Sequence, residues 1–315
     1  MIRLREEMQA MCRGMYLKYA ICPLFWHPGY RIRVRKAGVG PFPGRPSDIL
    51  RRFMGPSTLS SMFPLRDDNP TELFPFVTIL IIAANVLVWI LVQGGGAPDP
   101  FLHSLCAYGT IPGEITGSVL PGETVSLGDA SCTIGGLSAG TVLTSMFMHG
   151  GWMHLIGNMW FLWVFGNNIE DSMGHFRYII FYVLCGVLAS AAHIMFAPGS
   201  TVPTVGASGA ISGIMGAYMV LYPKVRVQTL IFLIVYIRII PLTAVTVLGL
   251  WFALQLFSGV IQGGVGGGGV AFWAHVGGFI AGVVFIKLFA RKTLVEAKHA
   301  GIVLTKDQIG RFGSW

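Results

Sequence analysis

Charged residues are scarce in this sequence: Asp, Glu, Lys and Arg make up 11% of its 315 residues, whereas soluble domains carry about 25%. Long apolar runs accompany this scarcity, and 53% of the residues are hydrophobic. The sequence has no phosphate-binding loop, dinucleotide fingerprint, zinc-knuckle spacing or HExxH motif. The formal net charge of +8 comes from basic segments between apolar runs, which argues against nucleic acid as a partner. The composition therefore indicates an integral membrane protein.

The five cysteines have no CxxC spacing, which argues against a redox or metal motif. Cys106 and Cys132 share one segment that lies outside the cell in the topology derived below. Two interpretations stay open for this pair: a disulfide, or two free thiols.

Six apolar segments each approach the ~20 residues that a membrane-spanning helix needs. A single helix over 229–261 would place Arg238 inside the bilayer, at a cost of ~2.5–3.5 kcal/mol. We therefore expect 229–237 to lie at the interface or dip partly into it, with the fifth span starting near Pro241. The sequence predicts an all-α integral membrane protein with a bundle of six transmembrane helices. The predicted spans are 75–92, 152–165, 178–196, 205–222, 241–261 and 270–290.

The positions of Lys and Arg predict the orientation of these spans. The segment between Gln93 and Gly151 contains neither residue, and six spans place all 22 Lys and Arg on one side. That side is the cytoplasm by the positive-inside rule, so both termini are expected inside. The chain then divides into a cytosolic basic extension (1–74), a six-helix domain (75–290) with a long outer loop (93–151), and a cytosolic tail (291–315). The extension, with twelve Lys and Arg, is expected to be poorly ordered and to contact anionic membrane lipid.

Polar groups inside a bilayer are costly, so each one is a candidate for function. The candidates are His149, His154, Asn158, Glu170, His193, Ser208, Ser212 and His275.

Ser208 lies in Gly206-Ala207-Ser208-Gly209, at the start of the fourth span. A serine at a helix N-terminus is surrounded by unpaired N–H groups that can stabilise an oxyanion. The same small residues also form a helix-packing surface, and both interpretations stay open from this motif alone.

His275 lies five residues into the sixth span, about 7.5 Å below its outer end, and Ser208 lies at a similar depth. Small residues form a stripe on each of the two helices: Gly209, Gly213 and Ala217 on one, and Ala274, Gly278 and Gly282 on the other. Such faces let helices approach closely. The two side chains would then meet, and a neutral histidine could accept the serine proton; a hydrogen-bonded core histidine is the alternative.

His154 and Asn158 are four residues apart and share one face of the second span. Both can donate hydrogen bonds to an oxyanion. The alternative for His149 and His154 is a metal site, which would want further ligands, commonly carboxylates, that the spans do not hold at their centres. We expect neither a metal nor a cofactor. Glu170, near the inner end of the second span, is expected to pair with or cap a neighbouring element.

These residues together resemble the rhomboid family of intramembrane serine proteases, over about 62–290. The motifs are His149-Gly-Gly-Trp-Met-His154-Leu-Ile-Gly-Asn158, Gly206-Ala-Ser208-Gly209, and Ala274-His275-Val-Gly-Gly278 followed by Gly282.

The resemblance implies a six-helix rhomboid-like bundle and a serine endopeptidase that cleaves in or near transmembrane segments of other membrane proteins. It assigns Ser208 as nucleophile, His275 as base, and His154 and Asn158 as oxyanion-stabilising side chains. His149 and Glu170 match supporting residues. It also implies a bacterial inner membrane as the location, with no cofactor.

The sequence departs from the family pattern in two places. Many members carry Trp-Arg in the first loop where this chain has Gly140 and Thr141, and some carry a tyrosine where this chain has Ser212. The aromatic packing partner of His275 must therefore come from elsewhere. Two other functions stay open: an inactive relative that binds membrane proteins, and a transporter or channel whose glycines form a broken-helix path.

Overall fold

The computed structural model describes residues 62–127, 130–135, 139–233, 236–262 and 271–300. The expectations for residues 1–61 and 301–315 lie outside these ranges. The described chain is mostly helical.

The first elements are one strand, one long helix and a series of shorter elements. In chain order they are β1 (Met62–Asp67), α1 (Phe76–Leu91), α2 (Pro98–Tyr108), α3 (Pro112–Ile115), β2 (Thr124–Leu127), β3 (Ala130–Thr133) and α4 (Thr141–Thr144).

Helices, one π-helical turn and one hairpin follow in the rest of the described chain. They are α5 (Trp152–Phe161), a π-helical turn (Leu162–Gly166), α6 (Asn167–Met173), α7 (His175–Phe196), α8 (Ser208–Leu221), β4 (Arg226–Leu233), β5 (Tyr236–Thr243), α9 (Ala244–Gln262), α10 (Phe272–Phe289) and α11 (Lys292–His299).

Each of the six predicted apolar segments contains a helix. Among the described residues, three helices are long and apolar enough to cross a membrane: His175–Phe196, Ala244–Ile261 and Phe272–Phe289. Helices α1 and α8 are apolar but shorter; α8, with 14 residues, is only about 21 Å long at 1.5 Å per residue. These apolar helices identify the chain as a membrane protein. The number of six spans stays a prediction.

The all-α expectation is only partly correct, because strands β1, β4 and β5 form an antiparallel sheet in the order β1-β4-β5. Segment 229–237, expected to be interfacial, lies mostly in this hairpin. Its Val, Ile and Thr residues favour strands. Arg238 is an exposed residue of β5. Pro241 also lies in β5, an edge strand, where a missing N–H is tolerated. Because β5 continues to Thr243, the fifth helix begins at Ala244 and not at Pro241.

Residues 62–67 form strand β1, although we expected them to belong to a poorly ordered extension. The Asp67 carboxylate accepts hydrogen bonds from Asn168 Nδ2 (2.8 Å) and from the Tyr218 hydroxyl. Burial raises the pKa of Asp67 to about 6. Lys298 of α11 donates to Asn168 Oδ1 (2.7 Å) and Asp171 Oδ2 (2.8 Å). One polar cluster thus fastens both β1 and α11 to the predicted cytoplasmic end of the helices.

The outer loop contains a small core of its own, closed by a disulfide between Cys106 and Cys132, with 5.4 Å between their Cα atoms. The bond joins α2 to β3 and decides between the two interpretations of this pair. Disulfides persist in oxidising compartments, which agrees with a position outside the cytoplasm. The buried apolar residues around it are Ile111, Val119, Val125 and Ile134.

Helix α8 lies at the centre of the described helices, and its residues from Gly209 to Tyr218 are all buried. It packs against α7 on one side and α10 on the other. Helix α8 is shorter than both neighbours and begins at Ser208. A cavity lies at this start of α8.

Candidate functional site

Helices α8 and α10 approach closely because glycines face backbone carbonyls across their interface. A Cβ atom built on Gly278 would lie 2.0 Å from the Gly209 carbonyl oxygen, and one on Gly282 would lie 1.9 Å from that of Gly213. Any side chain larger than hydrogen would force the backbones apart. The small-residue stripes expected from the sequence therefore do face each other, and they set the distance between the two helices.

This close packing brings His275, in the first turn of α10, onto Ser208, the first residue of α8. The distance from His275 Nε2 to Ser208 Oγ is 2.8 Å, which is a hydrogen bond of ordinary length. The structure thus brings together the two residues that the sequence singled out as nucleophile and base. Nucleophile and base within hydrogen-bond reach is the arrangement that serine activation needs.

Two residues of α9 contact the other sides of the His275 ring, and neither is among the candidates predicted from the sequence. Gln255 Oε1 lies 2.8 Å from His275 Nδ1. The Trp251 ring lies over the imidazole, with 5.8 Å between ring centroids and 40° between ring planes. Trp251 therefore takes the place of the aromatic partner that Ser212 does not supply. Gln255 is a polar residue in an apolar helix, and that signal could have identified it.

His154 and Asn158 lie on α5, across from Ser208. The backbone N–H of Gly150 donates to His154 Nδ1 (3.2 Å), so the proton of a neutral ring is on Nε2. Asn158 is buried, and its Nδ2 has no hydrogen-bond partner among the described residues. Helix α5 thus carries two available side-chain hydrogen-bond donors, His154 Nε2–H and Asn158 Nδ2–H.

Gly206 lets the His154 ring approach the loop that precedes Ser208. A Cβ atom at Gly206 would lie 2.9 Å from His154 Nε2 and 3.4 Å from Ser208 Oγ. Its φ of +130° is also one that glycine adopts most readily, and its N–H is bonded to the Ser145 carbonyl (2.9 Å). Glycine at 206 is therefore required by both the backbone and the neighbouring ring.

Ser208, His275, His154, Asn158 and Gln255 all line one cavity of about 520 Å³. Its remaining walls combine apolar side chains with glycine backbone, including Met153, Phe161, Gly157 and Gly209. This volume lies within the ~300–1,000 Å³ of typical ligand-binding pockets.

His149 is fully buried and lies just before α5, the helix that carries His154 and Asn158. Gln93, at the end of α1, accepts from the His149 N–H (2.7 Å) and donates to its carbonyl (2.8 Å). The His149 ring lies edge-on to that of His154, with 5.2 Å between centroids. Within the described ranges, no third His, Cys, Asp or Glu joins these two in a metal-binding group. The contacts of His149 with Gln93 and His154 are those of a residue that supports the loop before α5.

Glu170 lies on α6, at the opposite end of the structure from Ser208, and is fully buried. Its carboxylate accepts from the N–H groups of Val77 (2.9 Å) and Thr78 (2.8 Å) in the first turn of α1, and from the Thr78 hydroxyl (2.7 Å). His175 Nδ1 lies 2.6 Å from Oε1 of Glu170, the oxygen that also accepts from Val77. Glu170 therefore caps α1, whose first N–H groups lack partners within the helix.

Replacing Glu170 with Ala should destabilise the protein by at least ~3 kcal/mol, because each buried donor left without an acceptor costs ~1–3 kcal/mol. Thermal unfolding in detergent measures this effect. The matched control is Glu296→Gln on α11, whose ion pair with Lys292 is long and exposed (3.7 Å); such pairs contribute ~0–1 kcal/mol. Equal unfolding temperatures for the two variants would contradict the capping role.

Comparison with known proteins gives the same assignment as the motifs. Residues 138–292 match the family model described as the Rhomboid domain. The chain is 30% identical over 154 residues to Rhomboid-like protein 11, chloroplastic, of Arabidopsis thaliana, covering 47% of this chain and 52% of that protein. It is 30% identical over 146 residues to Rhomboid protease GluP of Bacillus subtilis, covering 46% and 24%.

A third relative is Presenilin-associated rhomboid-like protein A, mitochondrial, of Danio rerio, which is 28% identical over 153 residues and covers 46% of this chain and 36% of that protein. The chain spans between about a quarter and half the length of these three relatives. The matched residues include Ser208, His275, His154 and Asn158. By its matched domain, its motifs and its relatives, the chain belongs to the rhomboid family.

Proposed function

We propose that this protein is an intramembrane serine endopeptidase that cleaves peptide bonds in or near transmembrane segments of other membrane proteins. The observation that carries this proposal is the 2.8 Å contact between Ser208 Oγ and His275 Nε2. It lies in a cavity also lined by Asn158, whose Nδ2 has no hydrogen-bond partner among the described residues. The relative named Rhomboid protease GluP gives further support.

In the proposed reaction, Ser208 Oγ attacks the substrate carbonyl carbon while His275 Nε2 accepts the hydroxyl proton. The negative oxygen of the tetrahedral intermediate accepts hydrogen bonds from His154 Nε2, Asn158 Nδ2 and the N–H of Ser208. The C–N bond then breaks, and His275 returns its proton to the leaving amine. Water, deprotonated by His275, hydrolyses the acyl-enzyme and releases the second product.

The substrate must present an extended segment to this cavity. A helix satisfies its own backbone groups and hides its carbonyls from attack. We therefore expect substrates with Gly or Pro near the outer end of a transmembrane helix, where local unwinding is least costly.

The same proposal includes the topology and the surroundings of the protein. Both termini face the cytoplasm, the 93–151 loop faces outward, and basic residues of the 1–74 extension contact anionic lipid. The bacterial inner membrane stays a prediction, because the relatives include chloroplastic and mitochondrial proteins.

A fluorophosphonate probe tests the proposal, because it reacts only with a serine hydroxyl that a neighbouring base has activated. Purified protein should be labelled once, at Ser208, and His275→Ala should prevent labelling. Ser212→Ala is the matched control: that hydroxyl donates to the Ser208 carbonyl (2.6 Å), and its loss should leave labelling intact. Absence of labelling in the wild-type protein would instead favour an inactive relative that binds membrane proteins.

A further inference from the structure

The His275 ring has a contact at Nδ1 with a residue outside the three family motifs, Gln255. Imidazole has two nitrogens, and a neutral ring carries its proton on only one of them. His275 can accept the Ser208 proton only if Nε2 is unprotonated, which requires the proton to be on Nδ1. Whatever contacts Nδ1 therefore decides whether the pair is reactive.

We propose that Gln255 is a positioning residue that holds His275 in the Nδ1–H tautomer, an inference that rests on the function proposed above. The Gln255 Oε1 atom, 2.8 Å from Nδ1, is an acceptor and carries no proton. It therefore stabilises Nδ1–H and leaves the Nε2 lone pair directed at Ser208 Oγ, also 2.8 Å away. The opposite orientation of the amide would donate to Nδ1 and leave the proton on Nε2, where it blocks proton transfer from the serine.

Trp251 gives the same helix a second contact with the ring. It precedes Gln255 by four residues, so both side chains lie on one face of α9. The amide fixes the ring in its own plane through Nδ1, while the indole lies over its face. The base is thus carried by α10 but oriented by α9.

An amide in this role differs from a carboxylate in what it stabilises. A carboxylate at Nδ1 favours both the correct tautomer and the positive charge that forms on the ring. Gln255 supplies only the acceptor, so its effect is on ring orientation and tautomer. Its replacement should lower kcat more than it changes KM, because substrate binding does not require the tautomer.

The test compares Gln255→Leu, which removes the acceptor, with Gln255→Glu, which keeps an acceptor at the same reach. Gln255→Leu should lower kcat about 10²-fold, the lower part of the ~10²–10⁴ that general acid–base catalysis contributes, with KM within a few-fold. Gln255→Glu should recover most of the loss. Leu256→Ala, on the exposed side of the same helix, is the matched control and should keep wild-type kinetics and thermal stability.

Nitrogen NMR of protein with ¹⁵N-labelled histidine gives a second readout that needs no substrate. The His275 signals are identified by their loss in His275→Ala. The wild-type protein should show Nδ1–H, and Gln255→Leu should shift the ring toward Nε2–H or a mixture. A merely structural role for Gln255 would lower stability and leave the tautomer unchanged.

Two results would overturn the inference: a wild-type ring protonated on Nε2, or a Gln255→Leu variant that keeps both wild-type kcat and Nδ1–H. A different result would count against the proposed function alone. If the wild-type protein neither cleaves nor labels, yet the tautomer follows residue 255, the hydrogen bond stands and the protease assignment fails.

Discussion

Ser208→Ala should abolish cleavage of a membrane-embedded reporter, lowering kcat by roughly 10⁴-fold or more, as loss of the nucleophile does in serine proteases. The substitution removes one oxygen atom, so insertion and thermal unfolding should match the wild type. His275→Ala should have a comparable effect, because the hydroxyl is a weak nucleophile without a base. Reconstituted protein and a reporter with a single helix containing Gly near its outer end provide the measurement.

The double variant makes this prediction sharper. If Ser208 and His275 act as one unit, Ser208→Ala with His275→Ala should be no slower than either single variant. Two independent contributions would instead multiply. Ser212→Ala again serves as the matched control, one turn further along α8. Substantial cleavage by both single variants would contradict a Ser–His mechanism.

Gly282→Ala should have the second large effect, although it adds only one methyl group. The new Cβ would lie 1.9 Å from the Gly213 carbonyl oxygen and 2.6 Å from its carbonyl carbon. These are backbone atoms and cannot rotate away, so α8 and α10 must separate. Overpacking costs ~1–3 kcal/mol and occasionally more, and we expect the upper part of this range.

The same separation should impair catalysis, because α8 carries Ser208 and α10 carries His275. A displacement of about 1 Å can cost ~10²-fold in rate. Activity and thermal stability should therefore fall together in Gly282→Ala, and fluorophosphonate labelling should slow.

Gly249→Ala on α9 is the matched control for this prediction. A Cβ there meets no atom within 4 Å, and alanine is a better helix former than glycine by ~1 kcal/mol. Gly249→Ala should be neutral or slightly stabilising. If Gly282→Ala behaved in the same way, helix propensity would outweigh packing, and the close approach of α8 and α10 would be wrong.

The positions of the helices could be predicted because run length and hydropathy depend on local sequence. The predicted span 75–92 corresponds to Phe76–Leu91, and 178–196 to His175–Phe196. The hairpin of β4 and β5 could not be predicted in this way. Apolar, β-branched segments fit either a strand or a buried helix, and the partner that decides, β1, lies far away in the chain.

The candidate site was predictable to the extent that its residues are polar groups in apolar helices. Ser208, His275, His154 and Asn158 all meet this criterion and lie in short motifs. Gln255 meets it too, but has no motif around it. Trp251 gives no signal at all, since an aromatic residue in a membrane helix is most simply lipid-facing or core.

The sequence by itself determined the membrane class, the expected orientation and the chemical groups available, because these depend on which residues occur and in what order. Only the tertiary structure decided that Ser208 and His275 lie within hydrogen-bond distance and that Gln255 holds the far side of the ring. The physical reason is scale. A stripe of small residues predicts close packing, but hydrogen bonding requires positions correct to within about half an ångström. Those positions depend on which carbonyl each glycine faces, and therefore on how α8, α9 and α10 pack together.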